Sequence, residues 1–270
     1  GEGAEIRFPN SAGSILQVGY STSLGSLVVN GTAENPVKFT SAEVSPAAGN
    51  WRYIFLTTTA RKAVFKHTIM EYGGKSQGYG DDATIKSEAD TLMISDSEIR
   101  LSGSQGIAVR AASNLISLER VSITGSNYNG LATHESGSYS ISMNDCHISS
   151  NQRYGLNIGH DVDFTIKNST FGANTSGFMR LYPNLAGGID SSNHFTSPGK
   201  IELISGNVTR DAFWPGFFST DSAWYFINDN TNVYGSSTEP ATLEIGEGAE
   251  IRFPNSAGSI LQVGYSTSLG

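Results

Sequence analysis

"LMISDSEIRLSGSQGIAV" (residues 92–109) is followed by three segments of the same pattern: "ISLERVSITGSNYNGLAT" (116–133), "ISMNDCHISSNQRYGLNI" (141–158) and "FTIKNSTFGANTSGFMRL" (164–181). An apolar position recurs at Ile99, Ile123, Ile148 and Phe171, in steps of 24, 25 and 23 residues. A second recurs at Ile94, Leu118, Met143 and Ile166. A glycine followed by an apolar residue recurs at Gly106, Gly130, Gly155 and Gly177, in steps of 24, 25 and 22. Steps this even mean one structural unit used repeatedly. Within each unit, and in "EIRF" (5–8), "ILQVG" (15–19), "VKFTS" (37–41) and "YIFLT" (53–57), apolar residues alternate with polar ones, which is the strand period. No helical period persists beyond two turns, so the chain is expected to be all-β. The unit is too short for a propeller blade and lacks the helical half of a leucine-rich repeat. The economical solution is a solenoid. Each unit is one coil, and its strands pair in parallel with those above and below at about 4.8 Å. Both apolar columns then face one core.

Composition narrows the function. With a net charge of −8 and no Lys/Arg cluster, no nucleic-acid partner is expected. No apolar run is long enough for a transmembrane helix, so no membrane insertion is expected in this segment. The single cysteine, Cys146, excludes an intrachain disulfide framework and a cysteine-based zinc site. It aligns with Ser97, Val121 and Ser169, and is expected to be a small buried side chain rather than a nucleophile.

The 25 residues "GEGAEIRFPNSAGSILQVGYSTSLG" (1–25) return unchanged at 246–270, a spacing of 245. Three explanations compete: a tandem array of near-identical 245-residue units, an overlap added to close a truncated coil, or a local natural duplication. The order of "GNVTRDAFW" (206–214), "YFI" (225–227), "NVYG" (232–235), "ATLEIGEGAEIRF" (241–253), "GSLVVNGTAENPVKFTS" (25–41), "GNWRYIFL" (49–56) and "VFKHTIMEYGG" (64–74) bears on the choice. In that order the chain resembles right-handed parallel β-helix proteins of the bacterial and archaeal cell-surface type, over most of its length. The resemblance implies that a natural unit starts near residue 206, so the array fits best. On this reading, 1–245 is one permuted unit and 246–270 is the first coil of the next. Ten or eleven coils per unit are expected, making a rod segment of about 50 Å. The copy carries Glu2, Glu5 and Arg7, so the unit without it has a net charge of −7.

The resemblance implies a structural module of an extracellular or cell-surface fibre, stalk or adhesin. Its partners would be identical units joined head to tail, and glycans or other fibres. No enzyme activity and no cofactor are expected. The rival is a carbohydrate-active enzyme or glycan-binding module acting on acidic polysaccharide, because polygalacturonases and pectate lyases resemble the same fold. Asp81 and Asp82 in "GDDA", His160 and Asp161 in "GHD", and two "TIK" segments approach the polygalacturonase motifs but lack their second Gly and their Arg. Asp145, Asp161 and Asp163 remain as carboxylates for a paired mechanism. Asp145, however, falls in the column Asp96, Arg120, Asp145, Asn168, expected at a turn or facing outward. His147 also faces outward by alternation, with no second metal ligand at a regular spacing. Calcium is the one metal the loops "GYGDDAT" (78–84) and "NDNTN" (228–232) suggest, against ordinary turn chemistry. A Thr-X-Thr ladder for ice or mineral is hinted at only by "LTTTA" (56–60) and does not continue. Glycosylation sequons stand at Asn30, Asn168, Asn174 and Asn207. Trp214, Phe217, Phe218, Trp224 and Tyr225 form the least repetitive stretch, expected as exposed aromatics packing over the junction between units or making a lateral contact.

Overall fold

The computed structural model describes residues 1–11, 13–110, 115–134, 139–217, 223–255 and 258–264. Among the described residues strand pairing is parallel, apart from one isolated bridge between Tyr20 and Ser23. Successive turns of the chain lay strands on three sides of a prism. Side I carries Gly25–Asn30, Ala60–Lys66, the first half of Thr91–Arg100 and of Leu115–Thr124, Ser140–Asn144 and Asp163–Lys167. Side II carries Glu5–Phe8, Val37–Ser41, Thr68–Glu71, the second half of the same two long strands, His147–Ser149, Thr170–Phe171 and His194–Phe195. Side III is a ten-stranded sheet running from Ile15–Val18 to Ile251–Arg252. Its tenth strand lies inside the repeated segment, so residues 1–245 make nine coils and one side, fewer than the ten or eleven an even period predicts, because the loops at 42–52 and 72–82 lengthen the first coils. Parallel strands joined by such crossovers wind right-handed, because twisted strands pack back onto their sheet only that way.

Both apolar columns form as the spacing requires. In register, Phe39, Met70, Ile99, Ile123, Ile148, Phe171 and Phe195 stack on side II. On side I, Val29, Phe65, Ile94, Leu118, Met143 and Ile166 do the same. The glycine column needs a correction at its fourth member. Ile107, Leu131, Leu156 and Met179 are in register, and Gly177 pairs with Tyr154, so Phe178 takes the place opposite Gly155. At Gly106 and Gly130 the next coil passes so close that a Cβ would lie 2.6 Å from a carbonyl oxygen. At Gly155 the approach, to Phe178 O, is still 2.8 Å, and it ends one coil further on. Phe178 turns into the core against Phe171 and Phe195, at ring-centroid distances of 6.2 and 4.7 Å.

The corners explain the polar columns. His67, Asp96, Arg120, Asp145 and Asn168 stack at the corner between sides I and II, with φ of 45°, 51°, 53°, 54° and 51°. One left-handed residue per coil turns the chain sharply there, which Asn and Asp tolerate better than most residues. Asp145 is thus a corner residue, as its column suggests. Just inside that corner, side chains of the next coil satisfy the turn N–H groups. Thr68 N donates to Ser97 Oγ at 3.0 Å, Cys146 N to Ser169 Oγ at 3.0 Å, and Ser169 N to Asn193 Oδ1 at 2.9 Å. Cys146 is buried in this column, and burial pushes its thiol up to about 11.

From Pro183 the cross-section changes. A 3-10 turn, Pro183–Gly188, widens the corner between sides III and I. A fourth side begins nearby with Gly206–Val208, Thr231–Val233 and Leu261–Val263, while side II ends at His194–Phe195 among the described residues. Ala212–Trp214 and Leu243–Ile245 form a short pair over the 3-10 turn, with Ala212 lying against Gly187.

Candidate functional site

Two features stand out: the repeated coil and the outer face of side III. The two copies of the coil share their first turn and its ion pair, while the strands are shorter in the second copy. Ala4 N donates to Gly1 O at 3.2 Å, and Ala249 N to Gly246 O at 3.1 Å. Gly3 and Gly248 have φ of 67° and 72°. Arg7 pairs with Glu5, and Arg252 with Glu250. Their neighbours differ entirely. Glu5–Phe8 pairs on side II with the following Val37–Ser41, and Ile15–Val18 pairs on side III with Tyr53–Leu56. In the second copy, Ile251–Arg252 pairs on side III with the preceding Ala223–Ile227, and Leu261–Val263 pairs on side IV with Thr231–Val233. One sequence therefore occupies different sides of the prism at the two ends.

Side III presents its outward positions as a ladder in register: Gln17, Phe55, Lys86, Ala108, Ala132, Asn157, Arg180, Glu202, Phe226 and Arg252. Cations sit over aromatic rings along this face. Arg52 lies 4.6 Å from the Tyr53 ring centroid, Lys86 5.5 Å from Phe55, Arg153 3.9 Å from Tyr128, Lys200 4.8 Å from Phe226 and Arg252 3.9 Å from Trp224. A cleft of about 490 Å³ opens at its middle, between Tyr128, His134, Arg153, Tyr154, Asn157 and Arg180. Buried carboxylates anchor the cations from beneath. Glu202 meets Lys200 and Arg180, and accepts a 2.6 Å bond from the Tyr154 hydroxyl. Asp81 lies 2.6 Å from both Lys86 and Arg110. Burial alone would raise these two acids, but the cations and hydrogen bonds outweigh it and hold both below the usual carboxylate range.

The family model described as "Right handed beta helix region" matches residues 83–238, more than half of the chain. The chain belongs to the right-handed β-helix family. No curated protein and no solved structure matches it. In this β-helix Asp145 is not brought to the other two carboxylates considered for paired chemistry, Asp161 and Asp163, which stand two residues apart in the chain. Asp163 pairs with Ser140 at the start of side I, while Asp145 follows Asn144 at its far end, about 16 Å away at strand rise. Asp161 is held by Asn184 at 2.7 Å and Arg210 at 3.1 Å. His147 is exposed and bonded to Ser149 at 2.9 Å. In the two acidic loops, the carboxylates face protein donors. Asp82 accepts from Gln77 N at 2.6 Å, and Asp229 from Asn230 N at 2.7 Å. Among the described residues no group of three or more His, Cys, Asp or Glu converges as metal ligands would.

Asn30 and Asn168 are exposed. Asn174 is tied into the wall, its amide reaching Gly172 O at 3.1 Å while its oxygen accepts from Asn151 N at 3.0 Å. Asn207 accepts from Asn232 at 3.0 Å. The expectation of exposed aromatics is corrected for Trp214, Phe217 and Tyr225, which are buried. Phe217 packs edge-to-face against Phe195 at 4.7 Å and Trp214 stacks on Tyr225 at 5.3 Å, because the ending of side II leaves a core opening that these rings fill. Trp224 and Tyr225 meet the second copy, through Arg252 and Ile251. Phe218 lies outside the described residues. Apart from Arg52 and its neighbour Tyr53, the ring and cation pairs of side III escape sequence reasoning, because the partners come from different coils. Only column alignment of 53–55, 86, 154, 180, 200–202 and 224–226 would reveal them.

Proposed function

We propose that this β-helix is a structural module of a long extracellular or cell-surface fibre, a stalk, filament or adhesin of near-identical units joined head to tail. Residues 1–245 are one unit, with a natural start near 206, and 246–270 open the next. The observation that carries this reading is the repeated coil, which uses one edge at residues 1–25 and the opposite edge at 246–270. A coil with partners on both edges belongs inside a stack. A unit net charge of −7 keeps neighbouring rods apart at low ionic strength. No cofactor has a role in such a rod. Immunogold labelling of the cells that make the protein tests the reading. Label in regular rows along surface fibres is expected, and label confined to the cell interior would overturn it.

The side III face favours a second reading, a glycan-binding module. Rings spaced by coils can stack on sugars, and the cations beside them can pair with uronate carboxylates. A panel of acidic polysaccharides in affinity electrophoresis tests it. Retardation lost in Arg153→Ala supports binding, and release of unsaturated or reducing ends would make the protein an enzyme instead.

A further inference from the structure

The two copies reveal how one unit would pass into the next. The inference rests on the tandem reading above. The first copy lends its backbone to the coil that follows it. Lys38 N donates to Ala4 O, Ala42 N to Phe8 O, Arg52 N to Ser14 O and Thr57 N to Val18 O. The second copy lends its backbone to the coil that precedes it. Tyr225 N donates to Glu250 O, Thr231 N to Ile260 O, and Gly264 N to Val233 O. In the numbering of the first copy these groups belong to Glu5, Ile15 and Gly19. One edge therefore uses Ala4, Phe8, Ser14 and Val18, and the other uses Glu5, Ile15 and Gly19. Among these bonds no backbone group is needed twice, as the alternation of a parallel strand requires.

The side chains are equally compatible. Tyr225 pairs with Ile251, and the equivalent Ile6 pairs with Phe39. Thr231 and Val233 pair with Leu261 and Val263, and the equivalent Leu16 and Val18 pair with Ile54 and Leu56. The second copy leaves Phe253 47% and Val263 78% exposed, whereas the first copy buries the same residues, Phe8 to 8% and Val18 to 7%. The cover in the first copy includes Trp51, stacked on Phe8 at 4.4 Å.

We infer that a single copy of this coil splices consecutive units, and that it does so out of phase. Side III of one unit continues as side II of the next, and side IV continues as side III. The fourth side opens after Pro183 and side II ends at Phe195 because each unit must hand over its sides shifted by one. A surface feature on one unit then reappears on the next at a different position around the rod. The splicing partner is a second copy of this same unit.

A two-unit chain, residues 1–245 followed by 1–270, tests the phase in a Cys146→Ser background. Across the spliced coil, Phe226 of the first unit and Thr40 of the second lie two strand spacings apart, about 10 Å, on either side of Arg7. Asn232 and Phe55 are related in the same way through Gln17. With cysteines at either pair and a bis-maleimide of matching reach, cross-linking is expected for Phe226→Cys with Thr40→Cys and for Asn232→Cys with Phe55→Cys. Cross-linking of Phe226→Cys with Phe55→Cys instead would mean that side III continues as side III. That result overturns the shifted splice and leaves the array standing. No cross-link in a particle that is one rod by electron microscopy also overturns the splice alone. No cross-link with two separated bodies overturns both.

Discussion

Phe8 and Phe253 occupy the same place in the same 25-residue sequence, one buried to 8% and the other 47% exposed. Val18 and Val263 differ in the same direction, at 7% and 78%. The turn at Gly3 or Gly248 and the Glu–Arg pair form in both copies, so local sequence suffices for these features, while the strands are shorter in the second copy, whose neighbours differ. Local sequence does not suffice for burial. In a solenoid each coil has two contact faces, and most of its stability resides in the contacts with its neighbours. Covering a ring as Phe8 is covered contributes about 2 kcal/mol relative to leaving it as Phe253 is.

The comparison breaks first at these rings. Phe8→Ala should cost about 3 kcal/mol in urea unfolding, since it leaves a cavity beside Trp51, whereas Phe253→Ala should cost less than about 1 kcal/mol. Equal costs would mean that the copies are equivalently packed. Thiol chemistry contrasts the middle with the open end. Cys146, raised to about 11, is mostly protonated at pH 8, and should react with a maleimide at least about 100-fold more slowly than a thiol introduced by Val263→Cys.

Acid separates the body from the ends. The folded pKa values of Asp81 and Glu202 are depressed, so their contribution is present above about pH 4 and is lost as pH falls through the lower folded values. Glu202→Gln should destabilise by about 2 kcal/mol at pH 7 and flatten the acid limb of a stability–pH profile. An unchanged acid limb would remove Glu202 from the account. The smallest effect concerns Arg252. Its stacking on Trp224 predicts a cost of about 0.5–1 kcal/mol for Arg252→Ala, against less than about 0.5 kcal/mol for Arg7→Ala, whose ion pair with Glu5 is exposed.

Much of this was legible in the sequence. Even steps put Ile99, Ile123, Ile148 and Phe171 in register, and the polar column through Asp145 marks a left-handed corner. Gly177 misleads because a glycine and an apolar residue also stand one place away from the true register, where Phe178 has exchanged a tight backbone approach for a place in the core. The aromatic stretch misleads for a different reason. Trp214 and Tyr225 are buried by the closing of side II, and no local period signals that a side of the prism ends. The outer face of side III is hidden for a related reason, since Arg153 and Tyr128, like Lys200 and Phe226, meet only after coiling.

The central claim is that the repeated coil continues one unit directly into the next. Small-angle X-ray scattering of chains with one, two and three units tests it most directly. From Glu5 to Glu250 the chain climbs nine coils and one side, so the particle should remain one continuous rod and lengthen by about 45 Å per added unit. Increments that vary between chains, or a profile of separate bodies joined by a flexible link, would contradict it.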